Sequence, residues 1–291
     1  MTAEIIQIAQ SIAATLLGLD DELGDKDWAR QHLEAFSTSD SRAGAWTAID
    51  KALFCQRMSD LIEKPFLINQ QSSPHCQSVA PLHAMALCYP ARFCAFAVGL
   101  YESGTGEFGH LDISMASGLV TGDLSQLSEA WGMHLVDLML TLAMKDYQNN
   151  LLTIDDVNDA DAMRPSITTE MEEPIEGSDL FSVTRFDETV AGFQGLSTEN
   201  TSFVLADGGM GLFCSKITTD DHAALMLPDL VVEGDWVTYQ YLSWGDSETQ
   251  FTESCPASAT GWRTRKTRIN AFELGLGETY HIVPNRADVI V

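Results

Sequence analysis

The stretch "INQQSSPHCQS", Ile68 to Ser78, decides how this 291-residue chain is read. A glutamine, Gln70, stands six positions before a cysteine, Cys76, with the turn formers Ser72, Ser73 and Pro74 between them. The run that follows, "CQSVAPLHAMALC", has the apolar recurrence of a helix over 76–88. A thiol attacks only as the thiolate, and the positive end of a helix or a nearby imidazole favours that form. Cys76 in the first turn of a helix has the first device at hand. Pro81 falls close to that turn, and proline is tolerated near a helix start. The Cys76 backbone N–H and the Gln70 side chain can then donate to a developing oxyanion.

The rest of the chain sets bounds on this reading. Apolar residues make up 45% and charged residues 20%, the balance of a globular protein. A net charge of −26 opposes nucleic acid or an anionic membrane as partner, because phosphate binding needs a cationic footprint. The local exception, Arg263, Arg265, Lys266 and Arg268 in "WRTRKTR", reads as a solvated face. No run approaches the ~20 apolar residues of a membrane span. The N-terminal stretch carries Glu4 and no basic residue before its apolar positions, which argues against a Sec signal peptide. Six cysteines without a CxxC pair fit no zinc module, and the chain calls for no cofactor or metal. The simplest setting is synthesis in a reducing cytoplasm.

Periodicity predicts helices over 2–18, 26–36, 43–62, 76–88, 90–102 and 125–146, with "YESGTGEFGH" as a glycine-bearing loop. In the most apolar of these, Met133, Leu140 and Met144 are core residues. Between 155 and 188, eleven acidic residues face only Arg164 and Arg185, and Pro165 and Pro174 interrupt any helix. That composition reads as a solvated connecting loop or a lid, the loop being the commoner case; "DDVNDADAM" within it lacks the glycine and distal glutamate of an EF-hand. From about 180 the runs "SFVLA", "GLFCSKI", "HAALML", "DWVTYQYLSW" and "TYHIVP" are strand-like. Helices first and strands second predict an α+β fold.

The imidazole must come from elsewhere. His32, His83 and His134 lie in helical patterns, and His75 adjoins Cys76, where neighbouring side chains diverge. His222 opens an apolar strand after an acidic turn. Taken together, Gln70 six before Cys76, Asp221-His222-Ala223 at a strand start, and Ser243-Trp244-Gly245 after a later strand resemble the papain-like cysteine peptidase superfamily. The wider context, from "RMSDLIEKPF" through "LYESGTGEFG", is similar to a group of bacterial papain-like proteins whose common form is NQ-x5-CGPA followed by LYETG.

The resemblance implies an N-terminal helical extension over 1–64 and a catalytic domain over 65–291. Within that domain a helical lobe to about 150 carries the cysteine, and an antiparallel β lobe from about 180 carries the histidine. It implies a cysteine hydrolase acting on an amide bond, with Cys76 as nucleophile, His222 as its base and Gln70 in the oxyanion hole. The chain departs from the pattern at three positions. Leu242 occupies the place of the His-orienting Asn, Gln77 that of the small Gly, and Ser78 that of Pro. Orientation of His222 then falls to Asp246, to Gln240, or to no third residue at all. A catalytically inactive, papain-like binding protein is the alternative, and a partner-binding role centred on 155–188 is another. A peptide, protein or cell-wall peptide substrate fits the chemistry. Related compact proteins also imply an exported bacterial effector or toxin with an immunity protein as partner.

Overall fold

A computed structural model of the chain describes residues 22–40, 44–148, 172–186, 210–215, 222–226, 231–233, 236–239, 241–242, 267–270 and 279–285. The described residues are α+β, mostly helical in the first half and mostly antiparallel strand in the second. One compact unit comprises Glu22–Ser178, and the strands from Phe181 onward belong to another.

The helical unit begins with α1 (Glu22–Thr38) and α2 (Lys51–Glu63). The expected 43–62 helix starts only at Lys51, because the Asp50 side chain accepts from Leu53 N–H at 2.8 Å and caps it there. Before that cap the chain passes too close to Tyr101 for a helix. A Cβ on Gly44 would lie 2.2 Å from the Tyr101 carbonyl, which instead accepts from Ala45 N–H at 2.9 Å. A 3-10 turn (Pro65–Leu67) leads to the Ile68–His75 loop, then α3 (Cys76–Cys88) and α4 (Pro90–Ser103). Pro90 opens α4 at a position where no amide donor is needed, and Gly104, at φ 75°, ends it.

The core lies between α1, α2 and α4. Phe54 stacks on Tyr101 at 4.4 Å between ring centroids, and Phe36 meets both rings edge-on. Such aromatic pairs add about 1 kcal/mol each beyond the area they bury.

The glycine-bearing loop after α4 is in fact a hairpin, β1 (Thr105–Phe108) paired with β2 (Leu111–Ser114). Phe108 faces Leu111 across a two-residue turn whose first position is Gly109 at φ 65°, the place that a tight hairpin turn reserves for glycine. Helices α5 (Ser117–Thr121), α6 (Ser125–Trp131) and α7 (Leu135–Gln148) follow. The expected 125–146 helix is therefore two helices. Gly132, at φ 69°, caps α6, and His134 Nδ1 accepts from Val136 N–H at 3.2 Å where α7 begins. Met133, Leu140 and Met144 are buried core, as expected.

Of the acidic 155–188 segment, residues 172–186 are described and are not a loop. They form α8 (Glu172–Gly177), with Ile175 fully buried, and then β3 (Phe181–Phe186). Pro174 sits in the first turn of α8, where it breaks nothing. The remaining strands are β4 (Met210–Ser215), β5 (His222–Met226), β6 (Val231–Glu233), β7 (Trp236–Tyr239), β8 (Tyr241–Leu242), β9 (Thr267–Asn270) and β10 (Thr279–Pro284). Four of them join β3 in an antiparallel sheet of order β3-β10-β4-β5-β8, and β6-β7-β9 make another. The predicted helix over 2–18 and the strand "SFVLA" lie outside the described residues. Among the described residues, no helix is long and apolar enough to cross a membrane.

Candidate active site

Cys76 is the first residue of α3, as the spacing predicts, and its side chain is partly exposed on a helix otherwise almost wholly buried. His75 precedes it as the capping residue. Its ring makes no cap bond to the helix but is buried edge-on against Trp131, with centroids 5.2 Å apart at 82°.

The loop in front of Cys76 is held from several directions. The Leu67 carbonyl accepts from Arg57 Nη2 at 2.6 Å, and His83 Nε2 lies 2.9 Å from the Ile68 carbonyl. Asn69 N–H donates to Asp137 Oδ2 at 3.1 Å, and Asn69 Oδ1 accepts from Gln71 N–H at 2.8 Å. Ser72 donates to the Trp131 carbonyl from both its amide and its hydroxyl. Gln71 needs this support because it sits at φ 51°, a left-handed conformation that costs a non-glycine residue roughly 1–3 kcal/mol.

Gln70 is 5% exposed. Its Nε2 donates to the Ser73 carbonyl at 2.9 Å, and Ser73 N–H returns a bond to the Gln70 carbonyl at 3.0 Å. The carbonyl partner fixes which end of the side-chain amide is nitrogen. One Nε2 hydrogen is thereby committed; among the described residues the other has no partner, and neither has buried Oε1.

The support that the sequence reading missed lies on α7, read there as simple apolar core. Asp137, Thr141, Lys145 and Gln148 recur at helical spacing on one face and are all buried. Asp137, with no exposed surface, holds Arg57 through Nε at 2.9 Å and Nη2 at 2.6 Å as well as Asn69 N–H. Gln148 reaches the first turn of α3. Its Nε2 donates to the Gln77 carbonyl at 3.3 Å, and its Oε1 accepts from Ser78 Oγ at 2.6 Å. One helix thus grips the chain on both sides of Cys76. Pro81 lies deeper in α3 than expected, as its sixth residue.

Burial shifts two of the cysteines and two of the histidines. Burial pushes the Cys94 thiol up to about 12 and also raises Cys55, so neither is suited to attack. Burial holds His83 neutral, with a pKa lowered to about 3, and lowers His134 as well.

Gln70 and Cys76 share one segment of the helical unit. His222 opens β5, as expected from the sequence, and belongs to the strand unit. Leu242 pairs with Leu225, so backbone alternation puts position 242 on the sheet face of Leu225 and position 222 on the other. Asp246 and Gln240 lie outside the described residues, as does most of "WRTRKTR". Among the described residues, no group of three His, Cys, Asp or Glu side chains is arranged to hold a metal. Comparison with protein-family models, with curated proteins and with solved structures returned no match to this chain.

Proposed function

We propose that the chain is a cysteine hydrolase of papain-like fold acting on an amide bond. The observation that carries the proposal is a partly exposed cysteine at the first position of a helix, entered from a loop pinned by buried groups. The positive end of α3 favours an anionic sulfur there. A loop that keeps a non-glycine residue at φ 51° is the kind of local strain that clusters at functional sites.

In this reading the Cys76 thiolate attacks the carbonyl carbon. The Cys76 N–H and the uncommitted Nε2 hydrogen of Gln70 receive the oxyanion. His222 protonates the departing amine, and the resulting thioester is hydrolysed by water that His222 deprotonates. Asp246 is assigned as the group that orients His222. A peptide, a glutamine side chain or a cell-wall stem peptide suits this chemistry, and export as an effector is the setting that the resemblance implies.

One observation favours a second reading, a papain-like binding protein without activity. Gln70 already spends one amide hydrogen on Ser73, and the family's small residue after the cysteine is Gln77 here. Iodoacetamide labelling at pH 6, resolved cysteine by cysteine, separates the two. A hydrolase labels at Cys76 far faster than at its other five cysteines and loses that rate in His222→Ala. Slow, uniform labelling of all six removes the enzyme reading.

A further inference from the structure

Proline has no amide hydrogen, so Pro81 takes from the Gln77 carbonyl, four residues earlier, the helical donor it would otherwise receive. A proline ring inside a helix also crowds the carbonyl four residues earlier. The carbonyl belongs to the residue next to Cys76, in the first turn of α3. Gln148, the last residue of α7, supplies a donor in place of the lost one, Nε2 to Gln77 O at 3.3 Å, and also accepts from Ser78 Oγ at 2.6 Å. Gln77, Ser78 and Gln148 are all buried, so bulk water does not substitute for either bond.

We infer that Gln148 is a positioning residue for Cys76: it closes the first turn of α3 where Pro81 opens it, and so fixes how the thiol is presented. The inference rests on the reading of Cys76 as a nucleophile. Two features set it apart from ordinary core packing. Both bonds land on the two residues that immediately follow the cysteine, and the need for one of them is created by a proline in the same helix. Asp137, three turns earlier on α7, holds the loop on the other side of Cys76, so α7 fixes the Gln70 loop and the Cys76 turn relative to each other.

The test is site-resolved alkylation of the full chain, comparing the wild type with Gln148→Met, Pro81→Ala and the double variant. Methionine keeps the volume of Gln148 and removes both bonds. We expect Gln148→Met to slow Cys76 alkylation at pH 7 by about tenfold and to leave Cys55 unchanged. In the Pro81→Ala background residue 81 regains its N–H, so the same substitution should cost about twofold or less. Should Gln148→Met not fold, Ser78→Ala, which frees Gln148 of one bond and removes only a hydroxyl, is expected to slow Cys76 about threefold. A fast wild-type Cys76 whose rate is unmoved by Gln148→Met, or a tenfold loss that Pro81→Ala does not rescue, overturns the inference alone. A wild-type Cys76 no faster than Cys55 overturns the nucleophile reading, and the inference with it.

Discussion

His83 should govern the acid stability of the loop that precedes Cys76. Its ring is buried, lies 2.9 Å from the Ile68 carbonyl through Nε2, and has its pKa lowered from 6.5 to about 3 by burial. Between those two values the unfolded chain binds a proton that the folded chain refuses. Stability therefore rises with pH across this window and falls as the solution is acidified from 6.5 towards 3. At ~1.4 kcal/mol per unit, the 2.5 units between 6.5 and pH 4 amount to roughly 3 kcal/mol. Glutamine places an amide donor where Nε2 stands but does not titrate. His83→Gln should cost about 1 kcal/mol at pH 7 for the change of shape, then resist acid better than the wild type. Urea denaturation at pH 7 and pH 4, followed by circular dichroism, measures this. The carboxylates are common to both proteins and cancel in the difference, leaving the wild type with about 3 kcal/mol of extra loss. Equal losses in the two proteins would refute a neutral, buried His83.

Other consequences follow from the same loop. Asp137→Asn leaves the Arg57 guanidinium facing a neutral amide in a buried site, and should destabilise by about 3–5 kcal/mol in thermal or urea unfolding. A change below 1 kcal/mol would mean that the pair is not the clamp described. Gln71→Gly removes the cost of φ 51° and should raise stability by roughly 1 kcal/mol, net of the entropy that glycine adds to the unfolded chain. The same variant should slow Cys76 alkylation, because the looser loop holds the start of α3, and with it the thiol, less firmly. A gain in stability with no change at Cys76 would make the strain incidental.

Much of this molecule can be read from local pattern, and the failures have identifiable causes. The bounds of α3, α4 and β10 follow from apolar spacing, and Pro90 and Pro284 mark the start of α4 and the end of β10. Asp50 and Gly132 carry equally local signals, a side-chain cap and a left-handed turn, but apolar periodicity runs across both and hides them. The three glycines after α4 do three different things. Gly104 ends the helix, Gly106 lets β1 approach the Phe96 carbonyl, and Gly109 turns the hairpin. Composition alone reads all three as loop.

Cys76 and Gln70 were legible because helix start and turn chemistry are encoded within a few residues. Their support was not, because Arg57 and Asp137 are 80 positions apart and Ser78 and Gln148 are 70 apart. One trace did exist in the sequence: Asp137, Thr141, Lys145 and Gln148 recur at helical spacing in an otherwise apolar helix, the mark of a buried polar stripe.

The proposed chemistry requires an ion pair between Cys76 and His222, and titration of the His222 ring by NMR tests that requirement most directly. If the two pair as thiolate and imidazolium, their titrations are coupled, and Cys76→Ser should lower the apparent pKa of His222 by about one unit or more. An identical His222 titration in the wild type and in Cys76→Ser would show that the two groups do not meet, and would contradict the proposed chemistry.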